Sequence, residues 1–147
     1  MAFLSIKKLI EEKRDQSYFF GPVEEKIIKK VEEKLELTFP EDYREFLKEY
    51  GCGNIGPIEI FGLGPNIESV PNVEWMIRHL RKTRSLPNYL IPIENLGDGF
   101  YAALTSVNSS DQGVMAGVVL QWNSRMNDPR RIASSFADYL QERVSIM

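Results

Sequence analysis

The chain has 147 residues, a size at which a single domain hides roughly 68% of its unfolded surface and needs no covalent or metal staple. Hydrophobic residues make up 43% and charged residues 27%, which excludes a disordered chain, and a formal net charge of −3 argues against a general nucleic-acid-coating role. Cys52 is the single cysteine, so no internal disulfide can form.

The opening MAFLSIKKLIEEKRDQ meets charge too early for a signal peptide. No run approaches the ~18 apolar residues of a membrane span, so the cytoplasm is the expected compartment. Ser5 as a cap, with Ile6, Leu9 and Ile10 at helical spacing, predicts a helix over 5–16. PVEEKIIKKVEEKLE predicts a second over 22–36. Pro22 suits its first turn, and Val23, Ile27, Val31 and Leu35 form a stripe that Ile28 widens. The charged residues between them read as a solvated face with Glu25 and Lys29 as an i,i+4 pair.

LTFPEDYREFLKEYG is the best-specified local element. Pro40 opens it, Glu41 and Asp42 sit at its positive end, and Tyr43, Phe46, Leu47 and Tyr50 share one face before Gly51 stops it in a left-handed conformation. PIEIFGLG, 57–64, predicts a short strand and then a glycine turn at Gly62. VEWMIRHLRKTR, 73–84, predicts a helix with Val73, Trp75 or Met76, Ile77 and Leu80 inward. Strands are expected near 89–93 and 100–105 around a Gly97-Asp98-Gly99 turn, a loop over 107–113, and a central strand over 114–122. The closing 130–144 predicts a helix with Ile132, Phe136, Tyr139 or Leu140 and Val144 inward. No repeated β-α-β unit is present, so the expected class is α+β: one domain over 1–147, its mostly antiparallel or mixed sheet framed by N-terminal, middle and C-terminal helices.

Few residues carry a pattern that chemistry requires. Gly51-Cys-Gly53-Asn-Ile-Gly56 matches GxGxxG, but a dinucleotide site needs those glycines to leave a strand and enter a helix, and here they follow a helix. One histidine, His79, and one cysteine give no spaced soft-ligand set, and no GxSxG elbow exists for His79 to serve. Cys52 stands at a helix C-terminus, where the dipole disfavours a thiolate. Glu41, Glu45 and Glu49 read as an acidic ridge, and Arg78, Arg81, Lys82 and Arg84 as the wet face of a helix. Neither catalysis, cofactor, metal nor direct nucleic-acid binding is expected.

Over residues 21–144 the ordered pieces resemble the SUKH superfamily, the Smi/Knr-like domains. They include Phe39-Pro40, Asp42-Tyr43, Phe46-Leu47, Tyr50-Gly51 and Gly53, then Ile60-Phe61-Gly62, Ile91-Pro92-Ile93, Gly97-Asp98-Gly99, the segment ending at Trp122, and Ser134 to Leu140. Phe39 departs from the leucine usual before the proline but keeps an apolar group there. The resemblance implies an α+β fold without a catalytic constellation. It also implies an immunity protein of a bacterial polymorphic toxin system, which binds and neutralises a cognate toxin, commonly through its C-terminal nuclease domain. A non-enzymatic regulatory or small-ligand-binding module is the alternative. Glu49, Tyr50, Glu59, Trp75, Asp98, Tyr101 and Trp122 are the partner-binding candidates, chosen for acidic or aromatic chemistry at predicted element ends. Pro40, Gly51, Gly62, Gly97 and Gly99 are assigned to structure.

Overall fold

A computed structural model describes residues 2–64, 71–126 and 128–147, and in it the first helix begins earlier than its capping residue implies. α1 spans Ala2–Glu12, so Ser5 lies inside it, with Ile6 and Ile10 buried. Residues 14–16 are a separate 3-10 turn, followed by β1, Ser17–Phe19, which is too short to show an alternation in the sequence. α2 is Glu25–Leu35; Pro22 precedes it instead of occupying its first turn. Its core side is Ile28, Val31 and Leu35, while Ile27 is exposed. The inward stripe thus starts one position later than the four-residue repeat suggests. Glu25 pairs not with Lys29 but with Arg44 and, at 3.3 Å, Lys48, both on α3 (Glu41–Tyr50).

Pro40 caps α3 from an extended conformation, ψ 152°, and is not part of the first turn. Tyr43, Phe46 and Leu47 face the core, and the Tyr43 hydroxyl donates to the Phe61 carbonyl at 2.6 Å. Gly51 has φ 75° and ψ −80°, and the Cys52 N–H donates back to the Tyr50 carbonyl at 2.9 Å. That is a γ-turn, a tighter stop than the left-handed helical cap expected. A Cβ at Gly51 would lie 2.4 Å from the Gly21 oxygen, and one at Gly62 only 1.8 Å from the Gly51 oxygen. Three backbone segments therefore meet where only hydrogen fits between them.

Past this stop, β2 (Gly53–Ile55) and β3 (Ile58–Ile60) form a hairpin, and β1 adds to it antiparallel in the order β1-β2-β3. The strand expected in 57–64 is the second arm of that hairpin. α4 spans Val73–Arg84, as its pattern predicts, and Met76 rather than Trp75 is the buried member of the ambiguous pair. β4 (Leu90–Gly97), β5 (Phe100–Thr105), β6 (Val119–Trp122) and β7 (Arg130–Ala133) make a second antiparallel sheet in that order. Residues 107–112 form a 3-10 turn between β5 and β6. Two expectations change here. Only the end of 114–122 is strand, and 130–133 is strand instead of helix, because pairing with β6 overrides the local helical pattern. α5, Phe136–Ser145, starts only after Ser135, whose hydroxyl accepts from the Asp138 N–H at 3.0 Å.

The sheets meet where the Phe61 N–H donates to the Ile93 carbonyl at 2.8 Å, beside a register shift in β4 between Pro92 and Glu94. One continuous apolar core runs from Ile6 of α1 to Val144 of α5. The architecture is a single α+β unit with helices framing two antiparallel sheets. Two polar clamps lock α5 onto it. Asp42 Oδ2 accepts from the Ala137 N–H at 3.0 Å, closing the start of α5 from α3. Glu94, only 4% exposed, accepts from the Tyr139 hydroxyl at 2.5 Å and from Arg143 through Nε at 3.0 Å and Nη2 at 2.7 Å. No helix among the described residues is long and apolar enough to cross a membrane.

Candidate functional site

The partner-binding candidates lie on several different elements. Glu49 and Tyr50 end α3, where Glu49 is exposed and pairs with Lys7 at 3.6 Å. Tyr50 is half-buried against Phe19, ring centroids 4.9 Å apart, and burial beside Glu49 and Glu11 raises its pKa. Glu59 stands exposed on β3 opposite Asn54, which in turn opposes Tyr18 on β1. Trp75 is half-buried on α4 and stacks on His79, with centroids 4.7 Å apart and planes 8° from parallel. Asp98 sits exposed in the β4–β5 turn with φ 54°, between Gly97 and Gly99.

Tyr101 and Trp122 are cross-strand partners on β5 and β6, centroids 6.3 Å apart. Trp122 is 3% exposed, so its ring is core and offers no surface; a large apolar side chain on an interior strand is covered on both sides. Cys52 is buried too, which together with Glu59 pushes its thiol up to about 11 and keeps it unreactive at neutral pH. Among the described residues no three His, Cys, Asp or Glu side chains cluster to hold a metal ion. Part of the acidic ridge and of the basic face is taken up in ion pairs, Lys48 with Glu45 at 3.7 Å and Arg78 with Glu74 at 3.0 Å, while Arg81 donates to the Asn88 carbonyl at 3.0 Å.

A surface that sequence patterns did not single out lies at the free edge of the small sheet. Among the described residues β1 pairs only with β2, and Tyr18 and Phe20 project from this edge, 61% and 46% exposed, in a T-shaped contact at 5.6 Å. Two exposed aromatics side by side are the kind of anchor that protein interfaces favour. Beside them opens a groove of about 370 Å³ between the 20–24 linker, α2 and the start of α4. Phe20, Val23, Ile27, Val31 and Leu63 supply its apolar lining. Lys30 and Lys34 of α2 and the side chain of Asn72 supply its polar one, with Glu24 and Glu74 at the rim. The sequence places Ile27 within the apolar stripe; the structure moves it beside the buried side of α2 and into this groove. Tyr18 falls in a strand too short to show an alternation, and Phe20 directly after it.

A family model described as SUKH_5, SMI1-KNR4 cell-wall, matches residues 4–145. Among solved structures, a crystal structure of a protein from Pseudomonas syringae pv. tomato superposes with a TM-score of 0.68, covering 92% of this chain and 96% of that one at 18% sequence identity. At that identity the likeness speaks to the fold alone.

Proposed function

Because the chain belongs to the SUKH_5 family of SMI1-KNR4-like domains, a family of non-catalytic binding modules, we propose that it is an immunity protein that binds a cognate toxin domain and neutralises it. The observation that carries this reading is the family match across 4–145. The exposed aromatic edge of β1 supports it, because binding must offset lost translational freedom with a well-packed interface centre. A nuclease is the toxin class proposed, with the cytoplasm as the place of encounter. Glu49, Glu59 and Asp98 are exposed acids suited to basic groups that a nuclease directs at phosphates, and Tyr50, Trp75 and Tyr101 are half-exposed aromatics able to add apolar contact area. Neutralisation proceeds by covering or distorting the toxin's site.

The test is to identify a toxin-like domain encoded beside this gene, co-express it with the chain, and follow with pull-down and a nuclease protection assay. Stoichiometric complex and protection are expected; a folded protein that neither binds nor protects sinks the reading. A second reading, a small-ligand or regulatory module, is favoured only by the groove of about 370 Å³, and a bound metabolite co-purifying with the protein would select it.

A further inference from the structure

Resting on that binding-module reading, we infer that the groove beside β1 receives an acidic segment of the protein partner, an apolar side chain with a carboxylate next to it. The charge balance inside the groove carries this. Both acids at its rim are already compensated from outside, Glu24 by Lys26 at 3.5 Å and Glu74 by Arg78 at 3.0 Å. Lys30 and Lys34, one turn apart on α2, have no acidic partner among the described residues. The groove therefore presents two uncompensated cations over an apolar floor.

Asn72 adds a directional element. It is 1% exposed, and its Oδ1 is used as the α4 cap, accepting from the Trp75 N–H at 3.0 Å. Its Nδ2 is buried without a hydrogen-bond partner among the described residues. A buried amide donor left unpaired is costly, and in the inferred complex a small opening of the groove wall at Asn72 lets a carboxylate or carbonyl oxygen of the occupant relieve that cost. This amide and the two lysine ammonium groups are all hydrogen-bond donors. Tyr18 and Phe20 extend the apolar surface past the groove mouth along an unpaired strand edge, which a peptide covers and a small acid does not.

The test pans random dodecapeptides on phage against the full chain and against the double variant Lys30→Glu, Lys34→Glu, whose exposed positions leave the circular dichroism spectrum unchanged. Peptides enriched on the parent should pair an aromatic or aliphatic residue with Asp or Glu. Synthesised, they should bind the double variant roughly tenfold more weakly, a loss that shrinks at high salt. Asn72→Ser keeps a cap oxygen but removes the amide, and should weaken the same peptides. Enriched peptides lacking an acid, acidic peptides indifferent to the lysine reversal, or no enrichment would each overturn the inference. So would octanoate competing as strongly as the peptides, which would reassign the groove to small carboxylates. No toxin enters this experiment, so its failure leaves the immunity reading standing, and a failed protection assay leaves a positive peptide result standing.

Discussion

In the four-stranded sheet β5 and β6 are paired on both sides and Trp122 is folded in against Tyr101, whereas the three-stranded sheet ends in β1, with Tyr18 and Phe20 facing water. Aromatic residues thus do opposite work in the two halves. On the larger sheet they fill the core, and the buried carboxylate of Glu94 ties α5 down. On the smaller one an unpaired edge and an open groove leave apolar surface for something else to cover. Stability is concentrated where the sheet is closed, and recognition where it is not.

Removing the tie in the closed half should do the most damage. Glu94→Ala strands the Arg143 guanidinium and the Tyr139 hydroxyl, and about 3–5 kcal/mol of unfolding free energy should be lost in urea titration. A loss under about 1 kcal/mol would break the comparison. Next comes the junction between the halves. Gly62→Ala drives a methyl into the Gly51 carbonyl and should cost about 1–3 kcal/mol, read by the same titration.

The α3–α5 clamp should show itself through pH. Burial raises the Asp42 carboxyl above its ordinary 3.8, with the N–H groups of Ala137 and Tyr43 pulling the other way. The folded state then holds this proton more tightly than the unfolded chain. Its stabilising contribution is complete below pH 3.8 and is lost as pH rises through the folded value. Asp42→Asn has no proton to lose, so it should gain on the parent in stability as pH rises from about 3 to about 6. A pH-independent difference would remove Asp42 from that limb.

The open half should tolerate change. Tyr18→Ser with Phe20→Ser should shift stability by no more than about 0.5 kcal/mol while abolishing partner capture in pull-down. Smallest of all, Glu49→Lys with Glu59→Lys should leave the folded spectrum intact and slow partner association at low salt only. An unchanged rate would exclude both acids from the interface.

Long periodic elements were legible before the structure. α3 and α4 follow from Tyr43, Phe46 and Leu47 and from Val73, Ile77 and Leu80, since a stripe of apolar side chains at helical spacing has one way to be buried. The Gly97–Gly99 turn between β4 and β5 was equally plain. β1 and β7 were not, because three or four residues carry no readable alternation and Arg130–Ala133 continues a helix-like pattern until β6 claims it. The groove was hidden for a related reason. Phe20, Lys30, Leu63 and Asn72 are brought together by tertiary packing, and a buried donor without a partner cannot be recognised from spacing. Trp122 shows the converse: aromatic chemistry near an element end indicated surface, and an interior strand made it core.

The hydrogen bond from Ala137 to Asp42 spans 95 positions. While the chain is being made, that carboxylate has only the N–H of its neighbour Tyr43 and solvent to meet until position 137 clears the ribosomal exit tunnel. Docking of the last helix is therefore an event that follows translation of everything before it, and chaperones would encounter a nascent species whose α3 surface still lacks its lid.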